Sequence, residues 1–171
     1  MYNQLYLPEE AMKLYIKQKV FSFTDRFIVK EEKGEDKYFV EGEMFSMGHK
    51  LHIYDKNDKE VGYIRQKLFT FMPKFEITIN GMVIGDLIKK FTFINQNYYL
   101  EGTNLRLTGD FWAHDYTLYQ DGYAVMTVSK EWFTWGDSYV LNISDQVDEI
   151  LCLAIVLAID CEMCTANNRG N

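Results

Sequence analysis

Residues 64–71 read IRQKLFTF, and residues 16–23 read IKQKVFSF, the same phrase 48 residues earlier. Two further versions follow, KKFTF at 89–93 and KEWFTW at 130–135. Aligned on the first aromatic of the F-[ST]-aromatic core, the four begin at Phe21, Phe69, Phe91 and Phe133, with gaps of 48, 22 and 42. Two gaps are close to twice the third, and weaker copies fill them at Phe45-Ser46-Met47 and Phe111-Trp112. Six units result, and a second apolar landmark follows each by five to seven residues: Phe27, Leu51, Phe75, Tyr98, Tyr116 and Tyr139.

A phrase written repeatedly could mark a ligand touched more than once or a repeated structural unit. The turn signals favour the second. Asn57-Asp58, Asn80-Gly81 and Asp121-Gly122 separate apolar runs, as hairpin turns do. Segments such as KLHIYD (50–55), FEITI (75–79) and DYTLY (115–119) alternate and are rich in β-branched and aromatic side chains. Each unit is therefore a hairpin, and six units give about twelve strands.

An open meander of that size would expose two edges, which closure into a barrel removes. Diameter grows with strand number, so such a barrel needs more than its own side chains to fill it. The one long non-alternating apolar segment is Val147–Ile159, VDEILCLAIVLAI, with Ser144 and Asp145 ahead of it as cap candidates. It is apolar nearly all round, as a helix buried on every side should be. Asp148 and Glu149 suit its positive end. The expected fold is mainly β, a closed twelve-stranded antiparallel β-barrel over residues 5–143 enclosing a central apolar C-terminal α-helix at 146–160, in a single domain spanning 1–171.

Composition narrows the function. An apolar fraction of 47% and an aromatic fraction of 16% are far from the signature of disorder. The formal charge of -7 gives no basic footprint for nucleic acid. Cys152, Cys161 and Cys164 are odd in number and late in the chain, which fits a reducing compartment better than a disulfide framework. The apolar run at 150–159 is about half the length that spans a bilayer. The N-terminal stretch lacks the basic region and apolar core of a signal peptide. A cytoplasmic location, peripheral at a membrane, is expected, with no transmembrane segment.

The IKQKVFSFTDRFIV opening, the GHKLHIYDKNDKEVGYIRQKLFTFMPKFEI middle, the LRLTGDFWAHDYTL segment and the terminal apolar helix together carry a resemblance. Over residues 5–163 the chain resembles the LURP-one-related family of the tubby C-terminal-like superfamily. That resemblance implies a twelve-stranded barrel around a central helix and no enzyme chemistry. It also implies kinship with phospholipid scramblases and with the tubby branch, which binds phosphoinositides. The tubby branch's phosphate-binding motif has no counterpart in this sequence.

Basic residues precede the aromatic cores: Lys17 and Lys19, Arg65 and Lys67, Lys89 and Lys90, and Lys130. Equivalent repeat positions should sit at similar heights, so these seven would ring one rim and suit anionic phospholipid headgroups. Against this, Glu41 and Glu43 hold the matching places in the second unit, and solvated strand faces are the plainer reading. His49, His52 and His114 do not form a zinc set. A single C-x-x-C at 161–164 has no partner pair. No nucleophile elbow, P-loop or dinucleotide fingerprint occurs. The expectation is a non-enzymatic module without cofactor or metal that associates with anionic phospholipid headgroups or a membrane surface. The alternatives are a protein-interaction scaffold without lipid affinity and an enzyme with an unrecognised pocket.

Overall fold

The computed structural model describes residues 11–17, 26–43, 46–91, 96–133 and 136–169. The elements are β1 (Met12–Lys17), β2 (Phe27–Glu31), β3 (Asp36–Gly42), β4 (Lys50–Tyr54), β5 (Glu60–Lys67) and β6 (Lys74–Ile79). They continue as β7 (Met82–Phe91), β8 (Gln96–Leu100), β9 (Leu105–Asp110), β10 (Asp115–Gln120), β11 (Tyr123–Phe133), β12 (Gly136–Ile143) and α1 (Glu149–Arg169). Each strand pairs antiparallel with its sequence neighbours, and β1 pairs with β12 from Met12↔Ile143 to Lys17↔Ser138. The barrel is closed, as the repeat predicts.

Because the strands alternate in direction, all odd strands end at one rim, called upper here, and all even strands end at the lower rim. Two tight hairpins lie at the lower rim. Asn80-Gly81 has φ of 49° and 78°, and Asp121-Gly122 has 52° and 88°. Two successive positive φ values are what a two-residue turn needs to match strand twist. Just before these turns the register shifts at Ile77/Thr78 and Leu118/Tyr119, and the hairpins β2–β3 and β4–β5 shift at Val29/Lys30 and Ile53/Tyr54. A bulge at a recurring place bends the wall and tightens its twist.

The helix starts at the lower rim and runs through the barrel to the upper one. Leu153, Ala154, Ile155, Val156, Leu157, Ala158 and Ile159 are all fully buried against the wall. At the lower end, Gly62 of β5 leaves room for the helix: a Cβ there would lie 2.9 Å from Ile53 and 3.4 Å from Ile150 of α1. The six landmarks Phe27, Leu51, Phe75, Tyr98, Tyr116 and Tyr139 are all buried, near the starts of the even strands.

Two details of the helix differ from expectation. Its cap is Asp148, whose Oδ1 accepts the Leu151 N–H at 2.8 Å. Ser144 is held instead by the sheet, its N–H bonded to the Val125 carbonyl at 2.9 Å, and its hydroxyl accepts the Gln146 N–H at 3.2 Å. At the other end α1 continues to Arg169 rather than stopping near 160. Asp160 and Glu162 do not end it, because both find partners inside the barrel mouth.

Candidate functional site

The upper rim combines an internal polar cluster with an outer set of bases and apolar side chains. Inside, Lys89 on β7 lies opposite Tyr98 on β8, and both face the helix. Lys89 Nζ donates to both Glu162 oxygens at 3.1 and 3.2 Å, and the Tyr98 hydroxyl donates to the same carboxylate. Tyr139 donates its hydroxyl to Asp160, whose other oxygen lies 3.2 Å from His114 Nε2. The His114 ring stacks on Tyr139 with centroids 4.4 Å apart, and Phe111 lies 4.7 Å from Tyr98 and 4.8 Å from Tyr116. Burial, reinforced by the neighbouring carboxylates, holds the phenols of Tyr98, Tyr116 and Tyr139 well above their ordinary range.

At the lower rim a smaller counterpart ties down the helix start. Lys37 Nζ meets Glu149 at 3.0 Å, and the Tyr38 hydroxyl donates to the same carboxylate. The helix is thus clamped at Glu149 at its start and at Glu162 in the upper mouth, each glutamate by a lysine and a tyrosine. Among the described residues, each of these pairings holds α1 in place. Lys89 and Glu162 are both only 7% exposed, so the pair is inaccessible to a headgroup. Glu162→Ala is expected to cost about 3–5 kcal/mol, because it withdraws the carboxylate from a buried ammonium. A urea titration checks this; the double replacement Lys89→Met/Glu162→Leu should cost less than Glu162→Ala alone.

The sequence-predicted bases divide into three groups. Lys89 departs from the expectation, being turned inward at the mouth. Arg65 and Lys67 point outward but are held by acids: Arg65 meets Glu76 at 2.6 Å, and Lys67 meets Asp86 at 2.8 Å and Glu76 at 3.2 Å. The Asp86 hydrogen bond raises the Lys67 ammonium above its usual value. Lys17, Lys90 and Lys130 are exposed at or within three residues of the upper ends of β1, β7 and β11, with no ion pair among the described residues. Lys19 lies outside the described residues, as do Phe21 and Phe45 of the repeat phrase.

The repeat aromatics also divide. Phe111 is core, but Phe69 is 99% exposed and Phe71 101% exposed in the 68–73 connection. Met47 and Trp112, in other upper-rim connections, are exposed as well. The candidate residues named from the sequence did not include the internal acids Asp160 and Glu162. The signal for the acids was present: Asp160 and Glu162 interrupt an apolar helix, and three of the six landmarks are tyrosines.

The LURP-one-related family model matches residues 12–160. The chain is 36% identical over 149 residues to uncharacterized protein YxjI of Bacillus subtilis (strain 168), covering 87% of this chain and 92% of that protein. It is similar in fold to the X-ray structure of a protein from Arabidopsis thaliana, with a TM-score of 0.62 at 14% identity over 87% of this chain and 89% of the other.

Proposed function

The chain belongs to the LURP-one-related family, and from that premise we propose that it is a non-enzymatic module that docks its upper rim on anionic membrane surfaces. The observation that carries this reading is the placement of Lys17, Lys90 and Lys130 at one rim, exposed and with no ion pair among the described residues. Each such base near an anionic surface contributes about 1 kcal/mol. With a formal charge of -7 on the whole chain, attraction confined to one rim would also orient the body away from the membrane. No helix among the described residues is long and apolar enough to cross a membrane. The outer wall of β5–β7 carries the Arg65, Lys67, Glu76 and Asp86 ion pairs, which suit water rather than acyl chains.

Sedimentation with phosphatidylserine- or phosphoinositide-containing vesicles, against neutral vesicles, tests the reading at two salt concentrations. Anionic-selective, salt-weakened binding is expected. Replacement of Lys17, Lys90 and Lys130 by Gln should weaken it by about ten- to hundredfold. Binding that ignores both salt and the triple replacement, or no binding, contradicts it. A protein-interaction scaffold is the second reading, favoured by the exposure of Met82, Val83 and Tyr123 at the lower rim. It predicts no vesicle binding.

A further inference from the structure

From the upper rim we infer that the 68–73 connection is a membrane-penetrating prong, with Phe69 and Phe71 entering the interfacial layer of an anionic bilayer. This deepens the docking reading above and rests on it. Leu68-Phe69-Thr70-Phe71-Met72-Pro73 leaves β5 at Lys67 and returns into β6 at Lys74. Its base is pinned to the neighbouring connection. Gln66 N donates to the His49 carbonyl at 2.8 Å, His49 N donates to Gln66 Oε1 at 3.1 Å, and Leu68 packs so closely on Gly48 that a Cβ there would lie 3.0 Å from it.

The tip is different. Phe69 adopts φ of 59°, a left-handed conformation that bulky side chains rarely take. Among the described residues the other non-glycine positions at positive φ are Asp58, Asn80, His114 and Asp121, so Phe69 stands apart in chemistry. Strain of this kind persists where the surroundings enforce it and marks functional positions. Here Phe69 and its neighbour Phe71 stand almost wholly in water, gaining nothing from the fold. Water is a poor solvent for them, whereas the interfacial region of a bilayer accepts aromatic rings.

Charge complementarity selects the bilayer as the occupant. Lys17, Lys90 and Lys130 occupy the same rim, so the bases and the rings would face one plane together. Exposed Met47 and Trp112 lie in other connections of that rim. Apolar groups distributed around a barrel mouth match an extended plane better than a single protein groove. Two signals, bases and rings, are also what stable surface anchoring requires.

The test uses the full chain and the double replacement Phe69→Asn/Phe71→Ser, since asparagine tolerates positive φ. Thermal melting of this variant should match the parent or exceed it. A lowered midpoint would mean that the rings are packed, and would overturn the inference. On phosphatidylserine vesicles the variant should bind at least about tenfold more weakly than the parent. The salt dependence should separate the two contributions. The parent should keep a residual bound fraction at high salt; the Lys17, Lys90 and Lys130 variant should keep it too, and the phenylalanine variant should lose it. Phe71→Trp, read by difference against the parent's own tryptophans, should shift its emission to the blue on vesicles and be quenched by brominated lipid. If the phenylalanine variant binds vesicles as tightly as the parent, the prong is refuted while rim docking stands. If the parent binds no vesicle, both fall, and a protein partner for the rings becomes the reading.

Discussion

A chain ending after Ser144 is expected not to fold cooperatively, although it retains all twelve strands. The reason is the position of α1 as the core itself. Leu153, Ile155, Val156, Leu157 and Ile159 are fully buried, and the wall residues facing them, including Leu14, Val29, Val40, Ile53, Ile77 and Leu118, are equally buried. Burial of a large aliphatic side chain is worth about 1.5–3 kcal/mol. Removing the helix therefore forfeits more than the ~5–15 kcal/mol that typically holds a domain together. The wall cannot collapse to fill the gap, because strand number and closure fix its diameter. Near-ultraviolet circular dichroism and thermal melting of the truncated chain provide the check. A cooperative transition would show that the barrel stands without its helix. Ile155→Asp in the full-length chain should fail in the same way, because it places a carboxylate in a fully buried position.

The second large effect is alkaline unfolding. Burial, followed in each case by a neighbouring carboxylate, raises the phenols of Tyr38, Tyr98, Tyr116 and Tyr139. Burial likewise raises the thiols of Cys152 and Cys161. A group whose native pKa is raised stays protonated in the fold while the unfolded chain ionises. Its contribution is therefore intact below the unfolded pKa and is lost as pH rises above it. Thiols begin to titrate in the unfolded chain at about pH 8.5 and phenols at about pH 10. Each group then withdraws about 1.4 kcal/mol per pH unit. By about pH 11 the combined loss is on the order of 10 kcal/mol, comparable with the whole stability of a domain. Urea midpoints between about pH 8 and 11 should fall slowly at first and steeply at the end. A midpoint that stays flat over that range would mean that these groups reach solvent. Tyr116→Phe should make the decline shallower at little cost, since its buried hydroxyl has no hydrogen-bond partner among the described residues.

What the sequence discloses depends on whether a feature is local or arises from register. The Asn80-Gly81 and Asp121-Gly122 turns are local, because the conformation is set by the two residues that adopt it. The buried helix was legible from thirteen residues with hardly a polar side chain. Closure followed from the repeat, since a meander of that many hairpins must dispose of its edges. The cap was not legible. Ser144 and Asp148 are both good capping residues, and Ser144 is withdrawn from that role by the Val125 carbonyl across the sheet. Nor was the split between Lys89 and Lys90, adjacent residues that face opposite sides of the wall. Only the pairing of Lys89 with Tyr98 shows which of them turns inward. The same holds for Phe69 and Phe111, which share a repeat position. Phe111 lies between Tyr98 and Tyr116, while a left-handed backbone turns Phe69 out.

The pairing of β1 with β12 has a consequence for the order in which the molecule can come into being. A ribosome releases Met12 long before Gly136, yet β1 has no second neighbour until β12 exists, and the inward faces of all twelve strands have nothing to enclose until residues 150–159 emerge. Hairpins can form during synthesis, on microsecond timescales and from neighbouring residues alone. Their apolar faces then wait, through seconds of elongation at about 5–20 residues per second, for the segment that covers them. The nascent chain is thus most vulnerable to association with its neighbours just before residues 150–159 emerge.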